Sequence, residues 1–173
     1  MNSIGYIFGG ANVINGSKFD NNVVLTPLQK LKGELHQLII AKNYDGSVAL
    51  DENDRGITLH ITDEILFPSG KAELSEDSKD VLGNLADILK KIPNDIRVEG
   101  HTDNIPIQSD LYPSNWHLSV ARALNTAYFL INDKGLNPDK VSIVGYSEYQ
   151  PIAPNESKIG RSKNRRVDIV IIK

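Results

Sequence analysis

Apolar residues recur at helical spacing in three stretches of the chain, residues 26–42, 75–92 and 114–133. Each stretch opens on a threonine or a serine, which are residues that favour the N-terminal capping position of a helix. In the first stretch a proline follows the threonine, as suits the first helical position. The pattern predicts three amphipathic helices. The first of them needs either the domain's own sheet or a second copy of itself to cover its apolar stripe.

Five shorter segments have the composition of β-strands: residues 47–51, 57–61, 96–98, 141–146 and 166–172. The first two flank a turn-rich connector that ends in glycine, which predicts a hairpin. Alternation of apolar residues in the second segment puts His60 on the face away from the core. The order helix, hairpin, helix, strand, helix, strand, strand predicts an α/β fold, a two-layer sandwich with the helices on one face of a mixed sheet.

Projection of the third helix at about 100° per residue separates two faces. The face expected to pack on the sheet carries Trp116, Val120, Leu124, Ala127 and Ile131. The opposite face carries Asn115, Leu118, Ser119 and Arg122. We therefore expect Arg122 to lie outside the core, either as a solvated surface charge or as a binding residue.

The overall composition narrows the class of protein. A net charge of -3 at pH 7 gives the surface no general attraction for nucleic acid or anionic lipid. The absence of cysteine excludes disulfides, thiolate metal ligands and cysteine nucleophiles. The N-terminus lacks the pattern of a secretory signal, and no run approaches the roughly 18 apolar residues of a spanning helix. We expect a flexible or extended leader over residues 1–24, an amphipathic linker helix over 25–45 and one domain over 46–173.

A candidate binding pair stands in the middle of the chain. Asp103 lies just past a predicted strand end, where binding groups collect in α/β sheets, and Arg122 lies in the following helix. An aspartate accepts hydrogen bonds from an ammonium, and an arginine fork binds a carboxylate through two parallel bonds. The two residues together suit a zwitterion such as an amino-acid head group. Arg165 and Arg166, beside the last strand, add two guanidinium groups to this site, or they belong to a solvated loop, or they balance acidic neighbours.

Two other classes of function are compatible with individual features of the sequence. A metal site or an acid–base pair can be drawn from His101, Asp103 and His117, but no further ligands with zinc-like spacing accompany them. Binding of a nucleic-acid backbone can be drawn from Lys158, Arg161, Lys163, Arg165 and Arg166. That basic stretch has no interleaved aromatic residues, and the net charge of the chain is negative, so both observations disfavour nucleic acid.

Several motifs stand in a fixed order along the second half of the chain. They are Glu99-Gly100-His101-Thr102-Asp103, Asn115-Trp116-His117-Leu118-Ser119-Val120-Ala121-Arg122-Ala123, Gly145-Tyr146-Ser147-Glu148, Pro151, Asn155 and Asn164-Arg165-Arg166-Val167. In this order they resemble the peptidoglycan-binding OmpA-like domain, over roughly residues 57–173. The resemblance implies that family's β-α-β-α-β-β mixed sheet, here preceded by the linker helix. Residues 113–116 and 149–155 are further similar to the MotB family of flagellar stator proteins and its sodium-driven relatives.

The resemblance to the OmpA-like domain implies noncatalytic binding of the peptide stem of peptidoglycan. In that family's pattern Asp103 and Arg122 hold the amine and the carboxylate of the diaminopimelate side chain. The same pattern assigns the frame of the pocket to Thr102, Asn115, Leu118 and Arg166. It implies no catalytic residue, no cofactor and no metal.

The narrower resemblance to stator proteins implies a unit that anchors a flagellar motor to the cell wall. It implies a homodimer, a membrane channel partner of the MotA type, and a periplasmic domain of a protein held in the inner membrane. Stator proteins carry an N-terminal membrane helix that this sequence lacks, so we expect the periplasmic portion alone. The alternative within the family is a general lipoprotein or porin-type wall anchor not tied to motility. Two positions depart from the family pattern, His117 where Glu is frequent and Ser147 where Gly is common.

Overall fold

The computed structural model describes residues 24–173 of the chain. The leader predicted over residues 1–24 lies outside this range except for its last residue. Within the range, no helix combines the length and the apolar character that crossing a bilayer requires.

Helices and strands follow one another in the predicted order, with a few short additions. The helices are α1 (Pro27–Ala41), α2 (Asp63–Leu66), α3 (Glu76–Leu89), α4 (Asn115–Asn132) and α5 (Lys158–Asn164). The strands are β1 (Val48–Asn53), β2 (Gly56–Thr62), β3 (Ile96–His101), β4 (Val141–Gly145) and β5 (Arg166–Ile172). The helices α2 and α5 and a 3-10 turn at Pro138–Lys140 are additions, because each is too short to show a helical period in the sequence.

The helix starts are set by local capping. At α1 the Thr26 hydroxyl accepts from the Gln29 amide at 3.2 Å, while the Gln29 side chain accepts from the Thr26 amide at 2.8 Å. This reciprocal arrangement satisfies two amides that a helix end otherwise leaves unpaired. Ser75 caps α3 through its hydroxyl, as predicted. Ser114 holds the N-cap position of α4, but its hydroxyl contacts His117 Nδ1 at 2.8 Å instead of a backbone amide.

The five strands form one mixed sheet in the order β1-β2-β5-β3-β4. All neighbours are antiparallel except β3 and β4, which are parallel. Thr62 at the end of β2 and His101 at the end of β3 both pair with Arg166 at the start of β5. We call this end of the sheet, defined by Thr62, His101 and Arg166, the site edge.

The two faces of the sheet differ in chemistry. The face toward α3 and α4 carries buried aliphatic residues, among them Ile57, Leu59, Ile61, Val98, Ile169 and Ile171. The other face carries His60, Glu99 and Asp168, which lie opposite one another in the strand register. The predicted orientation of His60 is therefore confirmed, and so is the two-layer α/β architecture.

The first helix is covered by the rest of the described chain. Leu31, Leu35 and Ile39 of α1 are buried at 5%, 0% and 4% exposure and belong to the same apolar cluster as the residues of α3. Of the two covers considered for the α1 stripe, the domain itself is the one observed, but α1 packs mainly on α3 and only in part on the sheet, at β1.

The predicted orientation of α4 is wrong. Asn115, Leu118, Ser119 and Arg122, expected to face outward, are buried, whereas Trp116, Val120 and Leu124, expected to pack on the sheet, are 43 to 49% exposed. Only Ala127 of the expected inner face is buried. The first two turns of α4 bury polar side chains that have hydrogen-bond partners, so hydrophobicity does not mark the inner face there.

Candidate functional site

The site edge gathers charged residues from three strand ends. Asp63 directly follows β2, and Arg165 directly precedes β5. Asp103 follows β3 with one residue, Thr102, between them. Because β5 is antiparallel to both β2 and β3, the ends of those two strands meet the beginning of β5. The N-terminal half of α4 packs beside this edge and adds Arg122.

Arg122 is held inside the protein by three groups. Its Nε donates to the carbonyl oxygen of Lys71 at 2.9 Å, and its Nη1 donates to Asp63 Oδ2 at 3.0 Å. The guanidinium also lies over the ring of Phe67, 4.9 Å from the centroid. With 2% of its surface exposed, Arg122 is a buried ion whose position is fixed on several sides.

Asp103 has different partners from Arg122. Its Oδ2 accepts from Arg165 Nη1 at 2.9 Å, and its Oδ1 accepts from the Ile105 amide at 3.0 Å. Arg165 Nε in turn lies 3.5 Å from Asp63 Oδ1. The four charges therefore alternate in one chain of contacts, Asp103 to Arg165 to Asp63 to Arg122, which we call the ion chain.

The ion chain lies in a poorly solvated environment, and the pKa directions reflect this. Burial raises the pKa of Asp63, although the charges of Arg122 and Arg165 act in the opposite direction. Burial likewise lowers the pKa of Arg122 against the attraction of Asp63. For Arg165 burial alone lowers the pKa, but the hydrogen bond to Asp103 and the charge of Asp63 outweigh it and raise the pKa. The inner pair is thus costly to keep ionised, while Arg165 is firmly charged.

The two guanidinium groups differ in their access to solvent. The side chain of Arg165 is 29% exposed, whereas that of Arg122 is 3% exposed. A ligand carboxylate arriving from solvent therefore meets Arg165 before Arg122.

Thr102 and Asn115 hold the loops around Asp103. The Thr102 hydroxyl donates to the Asp103 carbonyl oxygen at 2.8 Å, and its amide donates to the Ser147 carbonyl oxygen at 2.9 Å. The Asn115 amide group donates to the carbonyl oxygens of Asp103 and Ile105, and its oxygen accepts from the Ile107 amide. Leu118, one turn further along α4, is buried at 5% exposure. Thr102 and Asn115 therefore act as structural supports of Asp103, whereas Leu118 is a buried residue of the same helix.

Two glycines determine how closely α4 approaches the sheet. Gly100 of β3 pairs with Gly145 of β4, and both lie beneath Ser119. A Cβ atom on Gly100 would lie 2.0 Å from the Ser119 carbonyl oxygen, and one on Gly145 would lie 2.8 Å from the Ser119 hydroxyl. Ser119 Oγ also accepts from the amide of Ser147, whose φ is +54°. That left-handed backbone explains why a glycine suits position 147 in the family.

Arg166 lies apart from the ion chain. Its Nε donates to both oxygens of Asp168, at 3.0 and 3.1 Å, and its two Nη groups donate to the carbonyl oxygens of Asn164 and Gln150. Because Arg166 and Asp168 share the sheet face opposite α4, the structure does not bring Arg166 together with Asp103 and Arg122. Its observed contacts tie β5 to the loop that carries Gln150.

Two members of the ion chain, Asp63 and Arg165, are not among the residues that the family pattern assigns to the site. Asp63 follows an alternating strand just as Asp103 does, which is the signal that the sequence offered. Arg165 and Arg166 are neighbours in the sequence, but Arg165 precedes β5 and Arg166 is its first residue. Their side chains point in different directions, and only that of Arg165 contacts Asp103.

A small cleft adjoins Asn115 on the outer side of the site. It has a volume of about 200 Å³ and lies between the loop at residues 106–108, the start of α4 and the loop at 147–149. Its rim carries Trp116 and Tyr149, whose rings stack at 5.5 Å and are 49% and 62% exposed. The cleft therefore offers an apolar surface next to the charged site.

The structure does not assemble either of the two alternative sites drawn from the sequence, the metal or acid–base site and the nucleic-acid surface. His101 is buried and stacks on Tyr146 at 5.3 Å, whereas His117 is exposed and contacts Ser114, so neither histidine contacts Asp103. In the basic stretch, Arg165 and Arg166 pair with carboxylates, and Arg161 donates to the carbonyl oxygens of Asn155 and Glu156. Three of its five cations are thus engaged within the protein.

Comparison with known proteins finds a family and close structural neighbours. Residues 66–165 match the OmpA family. Motility protein B of Bacillus subtilis is 36% identical over 146 residues, which are 84% of this chain and 56% of that protein. The crystal structure of the periplasmic domain of Helicobacter pylori MotB superposes with a TM-score of 0.68 at 31% identity, over 73% of this chain and 82% of that one.

The structure of the cell wall anchor of the T6SS from Pseudomonas aeruginosa superposes with a TM-score of 0.73 at 33% identity, over 80% of this chain and 97% of that one. The chain spans about half the length of the curated relatives it matches.

Proposed function

The chain belongs to the OmpA family, and from that premise we propose that it binds the peptide stem of peptidoglycan and anchors its parent protein to the cell wall. The observation that carries the proposal is the ion chain at the site edge. It holds the carboxylate of Asp103 and the guanidinium of Arg122 on a strand end and a helix, with Arg165 and Asp63 between them.

The charges of the ion chain suit a zwitterionic end group such as that of a diaminopimelate side chain. The ligand's ammonium donates to Asp103, and its carboxylate accepts from Arg165 and Arg122. The ligand ammonium replaces Arg165 at Asp103, and the ligand carboxylate replaces Asp103 at Arg165. Asp63 keeps its contact with Arg122 Nη1, so no buried charge loses its partner on binding. The supports at Thr102 and Asn115 keep Asp103 in place during this exchange.

The proposed activity is binding without catalysis. The similar proteins compared above are Motility protein B, the periplasmic domain of MotB and a cell wall anchor. In the ion chain each carboxylate is paired with a guanidinium, an arrangement suited to holding charge on a ligand.

Within the family, the flagellar stator role is the proposal that the similarity to Motility protein B and to MotB periplasmic domains favours. The chain then lies in the periplasm as part of a protein held in the inner membrane, next to a membrane channel partner of the MotA type. Two copies pair in the assembled stator. Since α3 and β1 cover the apolar stripe of α1 within the described chain, the support for pairing is the similarity to stator proteins rather than an uncovered helix.

Sedimentation with purified cell-wall sacculi tests the binding site. We expect Asp103→Asn and Arg122→Lys each to weaken co-sedimentation about 10- to 100-fold, because each loses a charge-assisted bond worth roughly 1.5–3 kcal/mol. Asp110→Asn on the exposed neighbouring loop and Arg97→Lys on the opposite sheet face are the matched controls. Co-sedimentation equal to that of the parent chain, for both site variants in folded form, contradicts the proposal.

Deletion of the gene separates the stator role from a general wall anchor. Loss of a stator unit abolishes swimming and leaves the envelope intact. A deletion strain that swims normally but has a disturbed envelope supports the general anchor instead.

A further inference from the structure

Three ionisable side chains lie together on the sheet face away from α4, where the proposed wall-binding site does not reach. Glu99 and His101 belong to β3 and Asp168 belongs to β5, and all three are buried, at 1%, 2% and 3% exposure. Each offers one ligand atom, and these atoms lie within 4.8 Å of one another. We call these residues the carboxylate–histidine cluster.

The hydrogen bonding of this cluster is incomplete. His101 Nε2 lies 3.3 Å from Asp168 Oδ2 and 3.8 Å from Glu99 Oε2. Among the described residues, neither ring nitrogen of His101 makes a correctly directed hydrogen bond, and Glu99 Oε1 has no partner. Buried polar atoms without partners are rare and require an explanation. A cation between the three side chains satisfies His101 Nε2 and both carboxylates at once.

We propose that the carboxylate–histidine cluster binds a divalent transition-metal ion, of which Zn²⁺ is the best match. Zn²⁺ takes imidazole nitrogen and carboxylate oxygen ligands at about 2.0–2.2 Å in tetrahedral geometry. Ligand atoms in that geometry lie about 3.4 Å apart, close to the observed separations of His101 Nε2 from the two carboxylates. The site is distinct from the ion chain and does not depend on the proposed wall binding.

Neighbouring side chains hold the ligands as an outer shell does in metal sites. His60 Nδ1 contacts Asp168 Oδ1 at 2.7 Å, and Arg166 Nε contacts both oxygens of Asp168. These contacts fix the carboxylate so that Oδ2 is the oxygen turned toward His101. Tyr146 stacks on the imidazole ring and restrains its orientation.

Arg55 is the group that a metal ion displaces. Its Nη2 donates to Glu99 Oε2 at 3.0 Å, and its side chain is 47% exposed. Because nearly half of the Arg55 side chain is exposed, the guanidinium can move into solvent and open a path to the buried Glu99 carboxylate. The incoming ion then takes over the neutralisation of Glu99.

Calorimetric titration of Zn²⁺ into the chelator-treated chain tests the site. We expect one equivalent to bind, with affinity lowered at least 100-fold in Glu99→Gln and in His101→Gln. We expect Arg55→Gln, a surface change that keeps the cluster intact, to raise the affinity several-fold because it removes the competing cation. The opposite directions of these variants separate metal ligation from a general loss of fold.

The exposed histidines provide the control. His36→Asn combined with His117→Asn leaves binding unchanged if the cluster is the site. Absence of stoichiometric binding, weaker binding in Arg55→Gln, or loss of binding in the double histidine variant each overturns the proposal.

Discussion

At the scale of single residues, the buried pair of Arg122 and Asp63 has consequences for stability as well as for binding. The sequence predicts Arg122 outside the core, as a solvated surface charge or as a binding residue. The structure instead buries it with Asp63 as its only carboxylate partner within hydrogen-bond distance among the described residues. A charge enclosed in this way depends strongly on its partner.

Removal of the Asp63 carboxylate should therefore destabilise the folded chain. We expect Asp63→Ala to lower the free energy of unfolding by about 3–5 kcal/mol, because it leaves Arg122 charged and buried without compensation. Urea denaturation measures the change. Glu64→Ala, next in sequence but exposed, should stay within about 0.5 kcal/mol. Equal effects of the two substitutions contradict the structural role given to Asp63.

Asp168 contributes to the loss of folding stability at low pH. Burial alone raises its pKa, but the adjacent rings of His101 and His60 and the charge of Arg166 outweigh it and hold the pKa far below its usual range. A carboxyl whose pKa is lower in the folded state stabilises the fold above its unfolded pKa, and that stability is lost as pH falls. The loss begins below about pH 4, the ordinary pKa of aspartate.

We therefore expect Asp168→Asn to remove much of the steep decline in unfolding free energy between about pH 4 and pH 2. The measurement is a series of urea denaturations across that range. Asp110→Asn, an equal change of charge on an exposed loop, serves as the control and should keep the decline. An unchanged decline in Asp168→Asn would show that other carboxylates dominate acid unfolding.

At the scale of elements, the contact between α4 and the β3–β4 pair determines where the site lies. Gly100 and Gly145 leave room for the backbone of α4 at Ser119, and this brings the next turn, with Arg122, into the interior. Helix position and site geometry therefore depend on the same two glycines.

A methyl group at Gly100 should disturb both the position of α4 and the geometry of the site. We expect Gly100→Ala to cost at least about 2 kcal/mol of unfolding free energy and to weaken sacculus binding, since the helix must move away from the sheet. Gly33→Ala on the exposed side of α1 is the matched control. No atom outside its own helix lies within 4 Å of its Cβ position, so we expect stabilisation of up to about 1 kcal/mol. Normal wall binding by a stable Gly100→Ala chain would contradict the argument.

At the scale of the whole molecule, α1 shares its core with the OmpA-type fold. Leu35 is fully buried in the cluster that includes α3 and the sheet. A helix buried to this extent unfolds together with its neighbours rather than as an independent linker.

We expect Leu35→Ala to lower the free energy of unfolding by about 2–5 kcal/mol in a single cooperative transition. Ile40→Ala, five residues along the same helix but 57% exposed, should change it by less than about 0.5 kcal/mol. Fluorescence and circular dichroism during urea denaturation measure both. A small separate transition in Leu35→Ala would show that α1 folds independently of the domain.

Much of this architecture follows from local pattern. Helical periodicity, the cap at Thr26 with Pro27 after it, and the alternation of Ile57, Leu59 and Ile61 act within a few residues, so they can be read along the chain. They predicted the order of the elements and the α/β sandwich. The ordered motifs around Asp103 and Arg122 pointed to the family and to two members of the ion chain.

The remaining features depend on contacts between residues far apart in sequence. Strand register brings Asp63 and Arg165 to Asp103, turns Arg166 to the opposite face, and gathers Glu99, His101 and Asp168. The inner face of α4 is decided by hydrogen-bond partners on other elements, since a paired polar residue can be buried where an apolar one is left exposed. Local hydrophobicity carries no information about such partners, and the direction of α4 and the full site are therefore properties of the folded chain.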